Sequence, residues 1–116
     1  FSLRQTLEVA EAAGAEVKVL RAMGGSANSL LWTQIKADVT GKKVVVPASD
    51  TATTLGAAIL AGVGVGVYKD YEEAVSLTVR ETRNHEPNPL NKETYDKTYR
   101  TYRELYESLK HMMVRQ

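Results

Sequence analysis

The sequence contains no cysteine, which removes disulfide frameworks, thiolate zinc sites and thiol nucleophiles together. Charge of one sign is also lacking. Fifteen Lys and Arg stand against 14 Asp and Glu, a formal net charge of +1, so there is no bulk field to draw nucleic acid or a membrane surface. Long hydrophobic runs are missing too: the longest mostly apolar stretch, Leu55 to Tyr68, has 14 residues, short of the ~20 that a membrane helix needs. Histidine is scarce. His85 and His111 lie 26 residues apart, neither with a second donor at ligand spacing, and both are expected on the surface rather than at a metal. A reducing compartment is compatible with the missing cysteines, and the cytoplasm is the expected location.

What remains is ordinary globular material, 116 residues with 43% hydrophobic and 25% charged, enough for one domain or part of one. Position 1 is Phe, and Phe1, Leu3, Leu7, Ala10 and Ala13 recur at helical spacing from the outset with no capping residue before them. The chain is therefore expected to begin inside a helix and to be a piece of a longer protein.

That first helix is predicted to end at Gly14. Ala15 to Ala22 reads as a strand, broken by Gly24-Gly25-Ser26, and Ser29 to Thr40 resumes a helical period that Gly41 stops. Val44-Val45-Val46 forms a short β-branched strand closed by Pro47. Ala48-Ser49-Asp50-Thr51 is rich in capping residues and leads into a helix from Thr53 to about Gly62. The composition LGAAILAG predicts burial on nearly every side, with close approach through Gly56, Ala57 and Ala61. Asp70 and Glu73 have capping-box spacing for a helix over 71–78. Glu81 to Pro89, with two of the three prolines, reads as a connector. Asn91 is the expected cap of the last helix, with Leu90 and Tyr95 as a hydrophobic staple, and that helix runs to about Met113. Strands alternating with helices predict an α/β layer architecture. Two strands are few for a sheet with both faces covered, which again points to material before Phe1.

The strongest candidate for chemistry is Met23-Gly24-Gly25-Ser26-Ala27-Asn28-Ser29, between a predicted strand and a predicted helix. Paired glycines turn the backbone sharply and let an anion approach without a Cβ in the way. The helix start beyond them offers free N–H groups and a positive dipole end, while Asn28 and Ser29 either cap that helix or hydrogen-bond a base. A plain strand-to-helix turn, with glycines for geometry, accounts for the same pattern. No Gly-Lys-Ser/Thr follows, so it is not a P-loop. Gly62, Gly64 and Gly66 are spaced G-x-G-x-G after a helix, which fits a helix exit rather than a dinucleotide fingerprint. Tyr95, Tyr99, Tyr102, Tyr106, Leu109 and Met113 form one stripe of the last helix. Nine basic and nine acidic residues from Val67 to Gln116 leave no electrostatic funnel for single-stranded nucleic acid, so the stripe reads as packing surface. No nucleophile–His–acid set can be assembled from spacing.

The Met23–Ser29 segment followed by Leu31-Trp32-x-Gln34-Ile35-x-Ala37-Asp38-x-Thr40-Gly41 resembles the adenosine-binding segment of the FGGY family of carbohydrate kinases. Leu55-Gly56-Ala57-Ala58-Ile59-Leu60-Ala61-Gly62, leading to Gly66-Val67-Tyr68-Lys69-Asp70, resembles the helix that follows in those kinases. Tyr102-Arg103-Glu104-Leu105-Tyr106 is similar to their C-terminal helix. The resemblance covers essentially the whole chain, and Trp32-x-Gln34 inclines it to the xylulokinase-like branch. It implies an actin-like, ribonuclease-H-like α/β fold of two domains around a cleft. Residues 1–116 would be the C-terminal portion of the second, nucleotide-binding domain, with 84–116 as connector and terminal helix. It implies transfer of the γ-phosphoryl group of ATP, with Mg2+ bound mainly through the nucleotide, onto a sugar hydroxyl. A xylulose-like ketose leads the acceptors, with other sugars, polyols and sugar acids open.

By position, Gly24, Gly25 and Ser26 would line the nucleotide, the two glycines against its phosphates. Ser29, where glycerol kinases have an Asn, would lie near the adenine with Asn28 beside it. Ser26 stands where many members have a third glycine or a small residue. The family's catalytic base is an Asp of the first domain, so no catalytic residue is assigned here, neither Asp38 nor Asp50. The implied partners are the N-terminal domain of the same protein and the sugar; a homodimer is compatible, and nucleic acid and membrane are not expected. The 116 residues alone should bind nucleotide weakly, if at all, and catalyse nothing. The alternative from another class is a non-catalytic α/β interaction module whose Tyr-striped terminal helix docks a partner.

Overall fold

The computed structural model describes residues 1–48 and 52–113. In chain order these form α1 (Ser2–Ala12), β1 (Val19–Arg21), a 3-10 turn (Gly25–Asn28), α2 (Leu30–Thr40), β2 (Lys43–Pro47), α3 (Ala52–Gly64), α4 (Tyr71–Thr78), β3 (Glu81–His85) and α5 (Pro89–Met113). The expected α/β alternation is present. The expected capping residues Ser49, Asp50 and Thr51 lie outside the described residues.

The three strands make one sheet in the order β1-β2-β3. β1 and β2 run parallel, with Leu20 opposite Val44 and Arg21 opposite Val45. β2 and β3 run antiparallel, with Val44 opposite His85 and Val46 opposite Arg83. Val44, Val45 and Val46 of the central strand are at most 5% exposed. Their β-branched side chains suit a pleated surface packed on both sides. α2 lies on β2 and β3 and is flanked by α1 and α5, while α3 packs on α4.

β3 corrects the sequence reading, which made Glu81 to Pro89 a connector. Its residues ETRNH include a single β-branched side chain and no aliphatic alternation, so the hydrophobic pattern that signals a strand is absent. The connector shrinks to Glu86–Asn88. The start of α5 is corrected as well. Asn88, not Asn91, caps it, its Oδ1 accepting from the Leu90 N–H at 3.0 Å, and Pro89 takes the first helical position, where its missing N–H costs nothing. Leu90 is 87% exposed, so the staple with Tyr95 does not form.

Other boundaries follow the sequence more closely. Ser29 caps α2, its Oγ accepting from the Trp32 N–H at 3.2 Å, and Gly41 ends it at φ +66°, a left-handed geometry that favours glycine. Asp70 caps α4 through the Glu73 N–H at 2.8 Å, while the Glu73 carboxylate reaches back to the Lys69 N–H at 2.6 Å. α1 stops at Ala12, two residues before the expected Gly14, and β1 keeps only three residues of the predicted strand.

α3 forms as expected, but its predicted burial does not hold. Ile59 is its one buried residue among those described, while Ala57 and Ala61 are exposed and Gly56 only partly covered. The reason is geometric: α4 covers one side of α3, and among the described residues no other helix lies against it closely. Gly62 is the glycine there that packing requires, since a Cβ on it would meet the Tyr68 ring at 2.7 Å.

The tyrosine stripe divides. Tyr99 is 5% exposed, stacked with Tyr102 at 6.1 Å between ring centroids and met by Phe1 at 5.6 Å. Tyr106, Leu109 and Met113 remain exposed. α1, which buries no residue fully, is held to α5 by charge and aromatic contact. Arg4 pairs with Asp96 at 2.7 Å, its guanidinium lies 4.2 Å from the Tyr99 ring centre, and the Tyr99 hydroxyl donates to Glu8 at 2.6 Å.

Candidate nucleotide-binding site

The glycine segment leaves β1 at the carboxyl ends of the two parallel strands, the edge where open α/β sheets hold ligands. Gly24 sits at φ +80°, a conformation that only glycine adopts without strain. Its carbonyl accepts from the Ala27 N–H at 2.9 Å, closing the 3-10 turn that carries Gly25, Ser26, Ala27 and Asn28. Ala27 is 2% exposed and anchors the turn. Gly24, Gly25, Ser26, Asn28 and Ser29 are all exposed. The structure therefore brings the five predicted site residues together on one accessible turn that runs into the start of α2.

Two details matter for chemistry. A Cβ on Gly24 or Gly25 would meet nothing within 4 Å, so the space above both glycines is open to an incoming group. Ser29 has one function already: its Oγ lone pair caps α2. Its hydroxyl hydrogen remains a donor.

Beside Met23 lies an apolar cavity of about 320 Å3, walled by Pro47, Leu55, Gly56, Ile59, Val75 and Val79. Its size and lining suit a flat, largely apolar ring system. A more polar groove of about 400 Å3 lies away from the glycines, between α1, the end of α2 and the start of α5. Its charged groups are engaged with one another: Arg4 with Glu8 and Asp96, Lys42 with Glu11, Lys92 with Asp96.

Asp38, 7% exposed, faces that groove without a cation. It accepts from the Asn88 N–H at 2.8 Å, the Asn91 side chain at 2.8 Å and the Gln34 side chain at 2.7 Å. Burial opposes its charge, but the bonds from Asn88, Asn91 and Gln34 outweigh that and hold the carboxyl below its ordinary range. The residue is a structural tie between α2 and α5. Asp50, also set aside as a catalytic base, lies outside the described residues.

His85 departs from the surface position expected of it. It is partly buried, with Nε2 3.0 Å from Thr33 Oγ1 and Nδ1 3.1 Å from Gln34 Oε1. Two residues earlier on β3, Arg83 Nη2 donates to the Ala27 carbonyl at 2.5 Å. Sequence reasoning missed both residues because it missed the strand. The only available signal was the alternation of Arg83 and His85 with Thr82 and Asn84, and no hydrophobic residue marks which side faces inward.

Solved structures define the class. A xylulose kinase from Rhodospirillum rubrum matches with a TM-score of 0.82 and 29% identity over 98% of this chain and 23% of that one. A xylulose kinase from Brucella ovis matches with a TM-score of 0.83 and 25% identity over 96% of this chain and 23% of that one. The fold is thus part of the actin-like, ribonuclease-H-like α/β fold of sugar kinases. The chain belongs to the FGGY family of carbohydrate kinases, whose C-terminal-domain model matches residues 1–65. Among curated relatives, the autoinducer-2 kinase of Salmonella paratyphi B is 41% identical over 100 residues, 86% of this chain and 19% of that protein. The chain spans about a fifth of the length of the curated relatives it matches.

Proposed function

We propose that residues 1–116 form the adenine-nucleotide-binding part of an ATP-dependent sugar kinase. In this reading they are the C-terminal portion of its second domain, with the connector after β3 and α5 as the closing element. The observation that carries the reading is the open Gly24–Ser29 turn, set at the carboxyl edge of the parallel strands beside an apolar cavity. Gly24, Gly25 and Ser26 receive the phosphates on backbone N–H groups and the α2 dipole. Asn28 and the Ser29 hydroxyl lie toward the base, and the cavity behind Met23 takes its apolar faces.

The reaction follows the general logic of phosphoryl transfer. Positioning and charge stabilisation do most of the work, and closure of a cleft excludes water. Mg2+ supplies charge neutralisation on the phosphates. In this reading the ion is bound mainly through the nucleotide, and the first domain closes the cleft over it. That domain also supplies the catalytic base and most sugar contacts. The acceptor is a sugar hydroxyl. A xylulose-like ketose and autoinducer-2 are the first two to test, by analogy with the matched kinases, followed by polyols and sugar acids. Among the described residues no helix is long and apolar enough to cross a membrane, and we assign the kinase to the cytoplasm, with a homodimer compatible.

Gly25→Val in the full-length enzyme tests this reading. The Gly25 backbone is not left-handed, and a Cβ there meets nothing within 4 Å, so the fold has room for the change and a bound nucleotide is what it would obstruct. The apparent KM for ATP should rise about tenfold or more, the scale of one or two lost polar contacts, with the KM for sugar little altered. Equal effects on both substrates, or none, would refute the assignment.

A further inference from the structure

The glycine turn has few means of holding its own shape. Two adjacent glycines carry the largest backbone entropy of any residue pair, and nothing stands where their Cβ atoms would be. Within the turn, the Ala27 N–H to Gly24 carbonyl bond closes the loop. A further restraint, beyond its packing on α2, comes from β3, 56 residues later in the chain.

Arg83 and His85 alternate with Thr82 and Asn84 and so share one face of that strand, opposite Val46 and Val44. Arg83 Nη2 donates to the Ala27 carbonyl at 2.5 Å, a charge-assisted bond at a 2%-exposed residue. His85 works one step further along the turn. Gln34 Nε2 faces two acceptors, Asp38 Oδ1 at 2.7 Å and the Glu86 carbonyl at 2.9 Å, which fixes the orientation of its amide. Gln34 Oε1 therefore accepts, and His85 Nδ1 carries the hydrogen toward it. In the neutral ring, Nε2 is left to accept from the Thr33 hydroxyl. Thr33 is fully buried, and its backbone N–H, not the hydroxyl hydrogen already given to His85, donates to the Ser29 carbonyl at 3.1 Å, at the cap of α2.

We infer that Arg83 and His85 are positioning residues that fix the nucleotide-binding turn from β3, Arg83 at Ala27 and His85 through Thr33 at Ser29. The inference rests on the nucleotide reading of that turn and names what sets its geometry. Neither side chain needs to touch the nucleotide.

The test is binding of Mg·ADP to the full-length protein by calorimetry, with amide hydrogen exchange of residues 24–30 as a second readout. Arg83→Met should weaken Mg·ADP about tenfold, the equivalent of one charge-assisted hydrogen bond, and speed exchange across the turn. Arg83→Lys, which keeps a charged donor, should recover binding to within about threefold of the parent. Lys18→Met is the control for charge. Lys18 pairs with Glu16 at 2.8 Å on exposed surface, and its loss should leave affinity within about twofold.

Arg83→Met with parental affinity and exchange, alongside a Gly25→Val variant that binds poorly, overturns the inference and leaves the nucleotide reading standing. Parental protein that does not bind Mg·ADP, or Gly25→Val that binds it normally, overturns the reading itself. Should Arg83→Met fail to fold, His85→Phe carries the test. It should weaken Mg·ADP about threefold, as for one neutral hydrogen bond, and speed exchange around Ser29; no change in either readout overturns the inference.

Discussion

α2 and α3 each follow a parallel strand, and each is a little over ten residues long, yet they behave in opposite ways. α2 carries Gln34, Lys36 and Asp38 and buries Thr33, Ala37, Asp38 and Val39. α3 carries no charge at all and buries Ile59 alone, leaving Leu60 61% exposed. The more apolar helix is the less buried one. Composition sets what a helix can bury; its neighbours decide what it does bury. α2 has β2, β3, α1 and α5 around it, and α3 has α4. A helix that is apolar on most sides ordinarily sits inside a protein, and the outer side of α3 fits the rest of the proposed two-domain kinase rather than water.

The largest expected effect lies on the buried side of this contrast. Asp38→Ala leaves the Asn88 N–H, the Asn91 amide and Gln34 without their acceptor, and should cost about 3 kcal/mol in urea unfolding of the chain. A loss below about 1 kcal/mol would show that water replaces the carboxylate and that α2 is not tied to α5 there. The same group gives a pH signature. Its carboxyl is held below the ordinary 3.8 in the folded chain. Its stabilisation is therefore present above pH 3.8 and is lost as pH falls through the lower folded value. Asp38→Ala should flatten that part of the acid stability curve.

A smaller effect is expected at Tyr99→Phe, about 1 kcal/mol for the hydroxyl bond to Glu8. Tyr106→Phe, on the exposed half of α5, should stay within about 0.5 kcal/mol. Comparable losses at both tyrosines would mean that the far half of α5 is packed against something as firmly as the near half.

The smallest effect belongs to α3. Ala57→Leu in the 116-residue chain should move stability by less than about 0.5 kcal/mol, because the position is exposed. The same change in the full-length protein should cost about 1–3 kcal/mol if that side is covered by close packing. Thermal unfolding of the two forms measures the difference directly, and equal small effects would show that the apolar side of α3 faces solvent in both.

How much of this was legible depended on the kind of signal each element leaves. α2 announced itself by period, a Ser cap and a glycine stop. The glycine turn was legible because a positive φ needs a residue without a Cβ, and Gly24 has that φ. β3 was illegible for the converse reason. The partners of its inward side chains are a carbonyl, a hydroxyl and an amide, so the strand uses Arg and His where a hydrophobic strand would use Val or Ile. The burial of α3 was misjudged because hydropathy records a capacity for contact and not the presence of a neighbour. The α5 cap shifted from Asn91 to Asn88 because both are good capping residues, and Asp38 had use for the Asn91 amide.

β1 has a consequence for handling the protein. It is an edge strand with one neighbour, β2, among the described residues, and its outer backbone groups form a template for another strand. The template is only three residues long, is flanked by Lys18 and carries Arg21, features that limit adventitious pairing. At the opposite border the antiparallel β3 ends in the polar run before α5. Self-association of the isolated chain through β1 should accordingly be weak, rise with protein concentration and fall when Val19, 42% exposed, is changed to Pro.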